Sequence, residues 1–277
     1  MRRQLSEYRL PWLPLIVFAV LIICAIFAPL LAPHDTEKLN ILESRIPPGE
    51  TSEHLLGTDT LGRDLLSRLI YGARTTVLIS LVALGTGGVV GTLLGLVSGY
   101  AGGWTDTIIM RIADAALGFP TILVALVIVV ILGTGIGVII LAVALTVWAN
   151  FARMIRGDVL AVKTQDFVTL ARIDGVNPAI LVLRHIFPNV INTLMVITSL
   201  LVGQIILLEA ALSYLGLGLP PGASSWGIMV AEGKEQIIDV WWLSLFPGLA
   251  ITIVVLAFNF IGDWLRDIMD PKLRQSR

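Results

Sequence analysis

The sequence predicts an all-α polytopic membrane protein with six transmembrane helices, and three observations carry that expectation. Only 14% of the 277 residues are charged and 56% are hydrophobic, against roughly 25% charged in a soluble domain. The mean hydropathy is +0.88. Apolar runs of about 20 residues, enough to cross a hydrocarbon core of about 30 Å, recur along the chain between short polar stretches. The net charge of −1 says little, because in such chains the distribution of charge sets orientation.

The first run, residues 10–32, follows a tail with Arg2, Arg3 and Arg9. A secretory signal has an apolar core of about 7–15 residues and an A-x-A-like site. This run is longer, and Ala25 and Ala28 have the wrong spacing, so a retained span is expected. Residues 33–73 are polar, with a turn at Pro47-Pro48-Gly49. Within residues 54–74, Leu61, Leu65, Leu66, Leu69 and Ile70 recur at helical spacing opposite Arg63, Asp64 and Arg68. That pattern predicts an interfacial connector helix without catalytic geometry.

The second span, about 75–100, carries Gly87, Gly91, Gly95 and Gly99 at four-residue spacing, a row that lets another helix backbone approach closely in lipid. The third, about 108–132, has Arg111 and Asp114 at i, i+3, where a salt-bridged pair is expected. Gly118-Phe119-Pro120 suggests a kink or break inside it. Gly133-Thr134-Gly135 then turns the chain into a fourth span ending near Phe151. Fifth and sixth spans are expected over about 191–215 and 241–261.

Residues 166–189 interrupt this pattern and read as two short helices broken at Gly175-Val176-Asn177-Pro178. Glycine accepts a positive φ after the first helix, and proline suits the first turn of the second. Phe167, Leu170 and Ala171 fall at i, i+3, i+4, and Ile180, Leu183 and Phe187 at i, i+3, i+7, so each helix shows one apolar face. With Arg172 and Arg184 on it, this hairpin suits a soluble partner.

Six spans put both termini on one side. The side with the termini and the hairpin holds 13 Lys and Arg, the other 6, so termini and hairpin are expected to be cytoplasmic. Trp12, Trp104, Trp148 and Trp264 fall at predicted inner ends, and Trp226, Trp241 and Trp242 outside, as an aromatic belt requires. Glu209 lies in the fifth span near its outer end. It lines a water-filled passage or makes structural hydrogen bonds, and the sequence leaves both open.

Several chemistries are excluded by what is missing. No G-x-x-x-x-G-K-[ST] phosphate loop occurs, so the chain is not expected to hydrolyse ATP, and neither G-x-S-x-G nor H-E-x-x-H occurs. The single Cys24 has no internal disulfide partner. His34, His54 and His185 are scattered without metal-ligand spacing, so neither a metal nor another cofactor is expected. A secondary transporter would usually show midplane charges or internal repeats, and a membrane enzyme convergent catalytic groups.

Four stretches carry a family resemblance. In the hairpin, Gly175 followed thirteen residues later by Pro188, with Ala171 before them, resembles the coupling loop of ABC importer permeases. Thr169 and Leu170 stand where that family often has Glu and Ala, so its acidic residue has no counterpart here. His54-Leu55-Leu56-Gly57-Thr58-Asp59-x-x-Gly62-Arg63-Asp64-x-x-Ser67-Arg68 resembles the signature before the second span of dipeptide, oligopeptide and nickel importer permeases. Glu209-Ala210-Ala211-Leu212-Ser213-Tyr214-Leu215-Gly216-Leu217-Gly218 agrees with it, as do Phe246-Pro247-Gly248-Leu249-Ala250, Phe258-Asn259, Gly262-Asp263 and Asp270-Pro271. The resemblance covers nearly the whole chain and is closest to the C-type subunits of dipeptide systems.

It implies a type I importer permease in the bacterial plasma (inner) membrane. Residues 1–73 would form a first span plus an extracytoplasmic segment, 74–272 the permease core with five spans and the coupling hairpin, and 273–277 a tail. The implied partners are a homologous permease subunit, two cytoplasmic ATPase subunits, an extracytoplasmic substrate-binding protein and membrane lipid, with no nucleic acid. Ala171, Arg172, Gly175, Pro178, Arg184 and Pro188 would serve ATPase coupling, and Glu209 is the candidate for the translocation pathway. Peptides are the implied cargo, with nickel or another small solute the alternative within the family.

Overall fold

In a computed structural model describing residues 10–220 and 223–269, the chain is helical, with no strand among the described residues. Five helices are long and apolar enough to cross a membrane: α1 (Trp12–Leu31), α2 (Leu65–Ala101), α5 (Ile136–Val162), α7 (Pro178–Tyr214) and α9 (Trp242–Met269). A bent pair, α3 (Gly103–Gly118) and α4 (Thr121–Leu132), supplies a sixth crossing if taken as one broken span. Two short helices complete the set, α6 (Asp166–Ile173) and α8 (Trp226–Gly233). The charged N-terminal tail, Asp270-Pro271 and the C-terminal tail lie outside the described residues.

The longest helix contact joins α2 to α5, and the glycine row makes it. A Cβ on Gly87 would lie 2.6 Å from Val147 Cγ2, one on Gly95 2.7 Å from the Ala152 carbonyl oxygen, and one on Gly99 2.7 Å from Val159 Cβ. Gly91 sits closest of all, under the Trp148 carbonyl. Dispersion contacts at this range replace the hydrophobic drive that lipid does not provide. Around the pair, Ala125 and Val129 of α4 and Ile197, Leu201 and Ile205 of α7 close one apolar core.

Two ends of the bundle differ in content. At one, Lys163 Nζ donates to the Gly99 carbonyl at 2.6 Å, and α6 joins α5 to α7. The start of α1 reaches the same end, where Pro11 and Pro14 share an apolar cleft with Asp263 and Trp264 near the close of α9. The opposite end holds residues 33–64 and α8.

The break suggested inside the third span is present, its halves meeting at 90° around Phe119-Pro120; several other expectations are corrected. At 1.5 Å per residue, α3 and α4 reach about 24 and 18 Å, too short to cross separately. Asp114 pairs with Arg153 of α5 and not with Arg111. The connector helix expected over 54–74 is an extended segment with tight turns up to the cap at Asp64, after which α2 runs unbroken for 37 residues. The fourth span continues to Val162, which places Trp148 mid-helix. Trp226 and Trp242 are buried and donate to the carbonyls of Leu69 and Thr58 at 2.9 and 3.1 Å, so they brace the fold and do not form a belt.

Candidate functional site

The hairpin is built from a helix stop. Gly175 takes φ +77°, Val176 N–H donates to the Ala171 carbonyl at 3.1 Å, and Gly175 N–H donates to the Arg172 carbonyl at 3.2 Å. This double closure satisfies carbonyls that the helix end would leave bare. Asn177 then caps α7 by accepting from Ala179 N–H at 2.9 Å, with Pro178 in the first turn.

Burial divides the apolar residues of the hairpin into two sets. Val168 and Ala171 of α6 are buried with Leu181, Ile186 and Val190 of α7, against Leu96, Ile155, Val159 and Val162. Phe167, Leu170, Ile173, Ile180 and Leu183 face outward, with Ile173 75% and Leu183 62% exposed. Leu170, Ile173 and Ile180 thus leave apolar area exposed on a polar connection, while Leu183 borders an apolar groove with Phe18, Leu96 and Phe187. Arg172, Gly175, Pro178, Arg184 and Pro188 are exposed as well, and only Ala171 of the six predicted coupling residues is buried. Residues 181–186 widen into a π-helical turn, with Phe187 N–H donating to the Val182 carbonyl. Pro188 follows at once and has no N–H to continue the regular ladder.

Charged groups tie α5 to α3 and α2 at the same end of the bundle. Arg156 of α5 donates to both oxygens of Asp106 on α3, Nε at 3.0 Å and Nη2 at 2.6 Å, and Ser98 of α2 donates to the same carboxylate. Planar, bidentate pairs of this kind fix orientation as well as proximity.

Glu209 lies near the far end of α7, 2% exposed. Its Oε1 accepts from Ser213 Oγ and Ser225 Oγ, both at 2.8 Å. It thus joins α7 to the residue before α8.

At the same end the signature before α2 forms a clamp that sequence spacing did not reveal. Asp59 Oδ2 accepts from Arg63 Nε at 2.6 Å and Arg68 Nη1 at 2.7 Å, and Arg68 Nη1 also donates to Glu232 of α8 at 2.6 Å. Arg63 Nη2 reaches Glu232 at 3.2 Å. Two carboxylates and two guanidiniums therefore neutralise one another where α2, α8 and the preceding segment meet. Gly57 and Gly62 sit directly against the Ile46 and Asn40 carbonyls, where a side chain would not fit. His34 and His54, distant in sequence, lie with ring centroids 4.7 Å apart. Burial opposes charging His54, but hydrogen bonds to Asp64 and Glu43 outweigh it and raise its pKa above the ordinary imidazole value.

A bundle of spanning helices with glycine-packed crossings, a bent third span and an exposed amphipathic hairpin defines a membrane permease. Residues 91–275 match the family described as "Binding-protein-dependent transport system inner membrane component", and residues 1–48 match the N-terminal TM domain of oligopeptide transport permease C. The chain belongs to the first of these families and is a permease subunit of an ABC importer, a multi-pass inner-membrane protein. It is 39% identical over 267 residues to the oligopeptide transport system permease protein OppC of Bacillus subtilis, covering 96% of this chain and 87% of that one. It is 35% identical to the dipeptide transport system permease protein DppC of the same organism, covering 99% and 85%. With the glutathione transport system permease protein GsiD of Pectobacterium atrosepticum, identity is 40% over 92% of this chain and 84% of that one. Among solved structures, an inward-facing MetNI methionine ABC transporter aligns with a TM-score of 0.59 at 18% identity, over 73% of this chain and 97% of that chain. That likeness shows a shared fold.

Proposed function

We propose that this subunit imports peptides as one half of a two-permease pathway, with the hairpin receiving the motion of cytoplasmic ATPase subunits and a binding protein delivering cargo at the opposite face. The observation that carries the coupling role is the exposure of apolar Leu170, Ile173 and Ile180 on the hairpin that also bears exposed Arg172 and Arg184, backed by a packed buried side. The distribution of Lys and Arg supports a cytoplasmic hairpin, and the peptide, dipeptide and glutathione permeases among the relatives support the cargo class.

The geometry supports a direct mechanical link. A push on α6 passes through Val168 and Ala171 into α5 and α7. Helix α7 then runs about 47 Å from Pro178 to the Glu209 cluster near its other end. There Ser225 and α8 connect it to the Arg63–Arg68 clamp. Motion at the hairpin therefore reaches the opposite end through packed, hydrogen-bonded elements. ATP hydrolysis belongs, in this reading, to the partner subunits.

The test is a charge placed in the surface. Leu170→Asp and Ile173→Asp should each lose ATPase co-purification from detergent and lose uptake of labelled dipeptide, at parental membrane abundance. Parental uptake by both variants would remove the hairpin from the coupling role.

A further inference from the structure

The described residues bring three metal-ligating side chains together on the segment outside the spans: His34 just after α1, His54 in the loop, and Asp64 at the start of α2. One ligand atom from each lies within 4.8 Å of the others. His54 Nδ1 is 3.0 Å from Asp64 Oδ1, and His34 Nδ1 is 3.8 Å from Asp64 Oδ2. Bonds of about 2.0–2.1 Å in a tetrahedral site place donor atoms about 3.4 Å apart. The widest pair therefore needs to close by at most about 1.4 Å, shared between two side chains.

Most contacts that hold these groups would survive metal binding, and the His54 Nδ1–Asp64 Oδ1 hydrogen bond would be exchanged for bonds to the ion with release of its proton. His34 N–H donates to Ser67 Oγ at 3.0 Å, and Ser67 N–H and Oγ donate to Asp64 Oδ2 at 2.8 and 2.7 Å. Oδ1 meets only His54 Nδ1, and loss of the shared proton frees both atoms for an ion. On the far side of His54, Nε2 lies 3.4 Å from Glu43 Oε2. A carboxylate behind a ligating histidine fixes the tautomer and leaves the other ring nitrogen aimed at the metal. The second, independent observation is His34 Nδ1. This nitrogen is buried from solvent, faces Asp64 and has no hydrogen-bond partner, an uncommon state for a buried polar atom.

We propose that His34, His54 and Asp64 bind one first-row divalent ion that favours imidazole, zinc being the probe, with Glu43 orienting His54 and a fourth position open to water. Two imidazoles and one carboxylate suit zinc, nickel or ferrous iron better than magnesium or calcium. The half-exposed His34 and Glu43 give solvent access. The bound ion would cross-link the end of α1, the loop and the start of α2, staking down the segment that carries the Arg63–Arg68 clamp. The site is independent of the transport reading and stands on ion binding alone.

The experiment uses the full chain, without a polyhistidine tag, purified in detergent, stripped with a chelator and titrated with zinc by calorimetry. One equivalent should bind and raise the thermal unfolding midpoint. His34→Phe keeps a ring against His54, and the His34 side chain makes no hydrogen bond, so this variant should fold normally yet lose both effects. Glu43→Gln should weaken binding about 10- to 100-fold. His185→Phe, at the hairpin end, should change nothing. Absence of saturable zinc binding in the parent, binding that survives His34→Phe, or binding abolished by His185→Phe overturns the proposal.

Discussion

Gly175→Val tests the hairpin through its backbone. The native residue sits at φ +77°, and no atom of this chain lies within 4 Å of where its Cβ would be. The cost inside the subunit is therefore conformational and not steric. An L residue pays roughly 1–2 kcal/mol in this region, more when β-branched, which lowers the population of the native turn about 5- to 30-fold. No span is touched, so membrane abundance should stay at the parental level while uptake of labelled dipeptide falls several-fold or more. Gly175→Asn is the matched control: it adds similar bulk but tolerates a positive φ, and should keep most activity. Parental uptake by Gly175→Val would refute the backbone reasoning, and equal loss in both variants would replace it with a clash against a partner surface.

Other outcomes follow from the same geometry. Gly91→Ala would put a methyl 2.7 Å from Phe151 Cβ and closer still to the Trp148 carbonyl, and should lower stability by about 1–3 kcal/mol in thermal unfolding in detergent. Gly157→Ala, on α5 with open space around it, should be neutral or slightly stabilising. Glu209→Gln keeps a carbonyl acceptor for Ser213 and Ser225 and should import near the parental rate. Glu209→Leu strands two buried hydroxyls at about 1–3 kcal/mol each and should reduce membrane abundance, whereas lost uptake by an abundant Glu209→Gln would place the carboxylate in the pathway. Arg172→Glu should weaken ATPase co-purification more at low salt than at high, because surface charge is screened.

The features legible in the sequence were those set by local spacing. Gly175 and Pro178 announced a helix stop and start, and the four-residue glycine row announced a close helix contact, though not its partner α5, because each depends on residues within a turn or two. What escaped depends on distant partners. Arg63 and Arg68 looked solvent-facing because Glu232, more than 160 positions away, could not be anticipated. Arg111 was the nearest cation to Asp114 in sequence, but α5 brings Arg153 closer in space. In an eight-residue helix that is apolar on several sides, periodicity did not separate Val168, which is buried, from Phe167 and Leu170, which are not. His34 and His54 looked scattered until the loop folded them together.

The coupling role of the hairpin is tested most directly by cross-linking. Cys24 is the single cysteine, so in a Cys24→Ser background one cysteine can be placed at Ile173, 75% exposed on the hairpin, or at Leu42, 98% exposed at the opposite end. With a short bifunctional reagent in membranes containing the whole transporter, Ile173→Cys should yield an adduct with an ATPase subunit whose amount changes with bound nucleotide. Leu42→Cys should yield none. An ATPase adduct from Leu42→Cys, or none from Ile173→Cys while uptake remains at the parental rate, would contradict the coupling role.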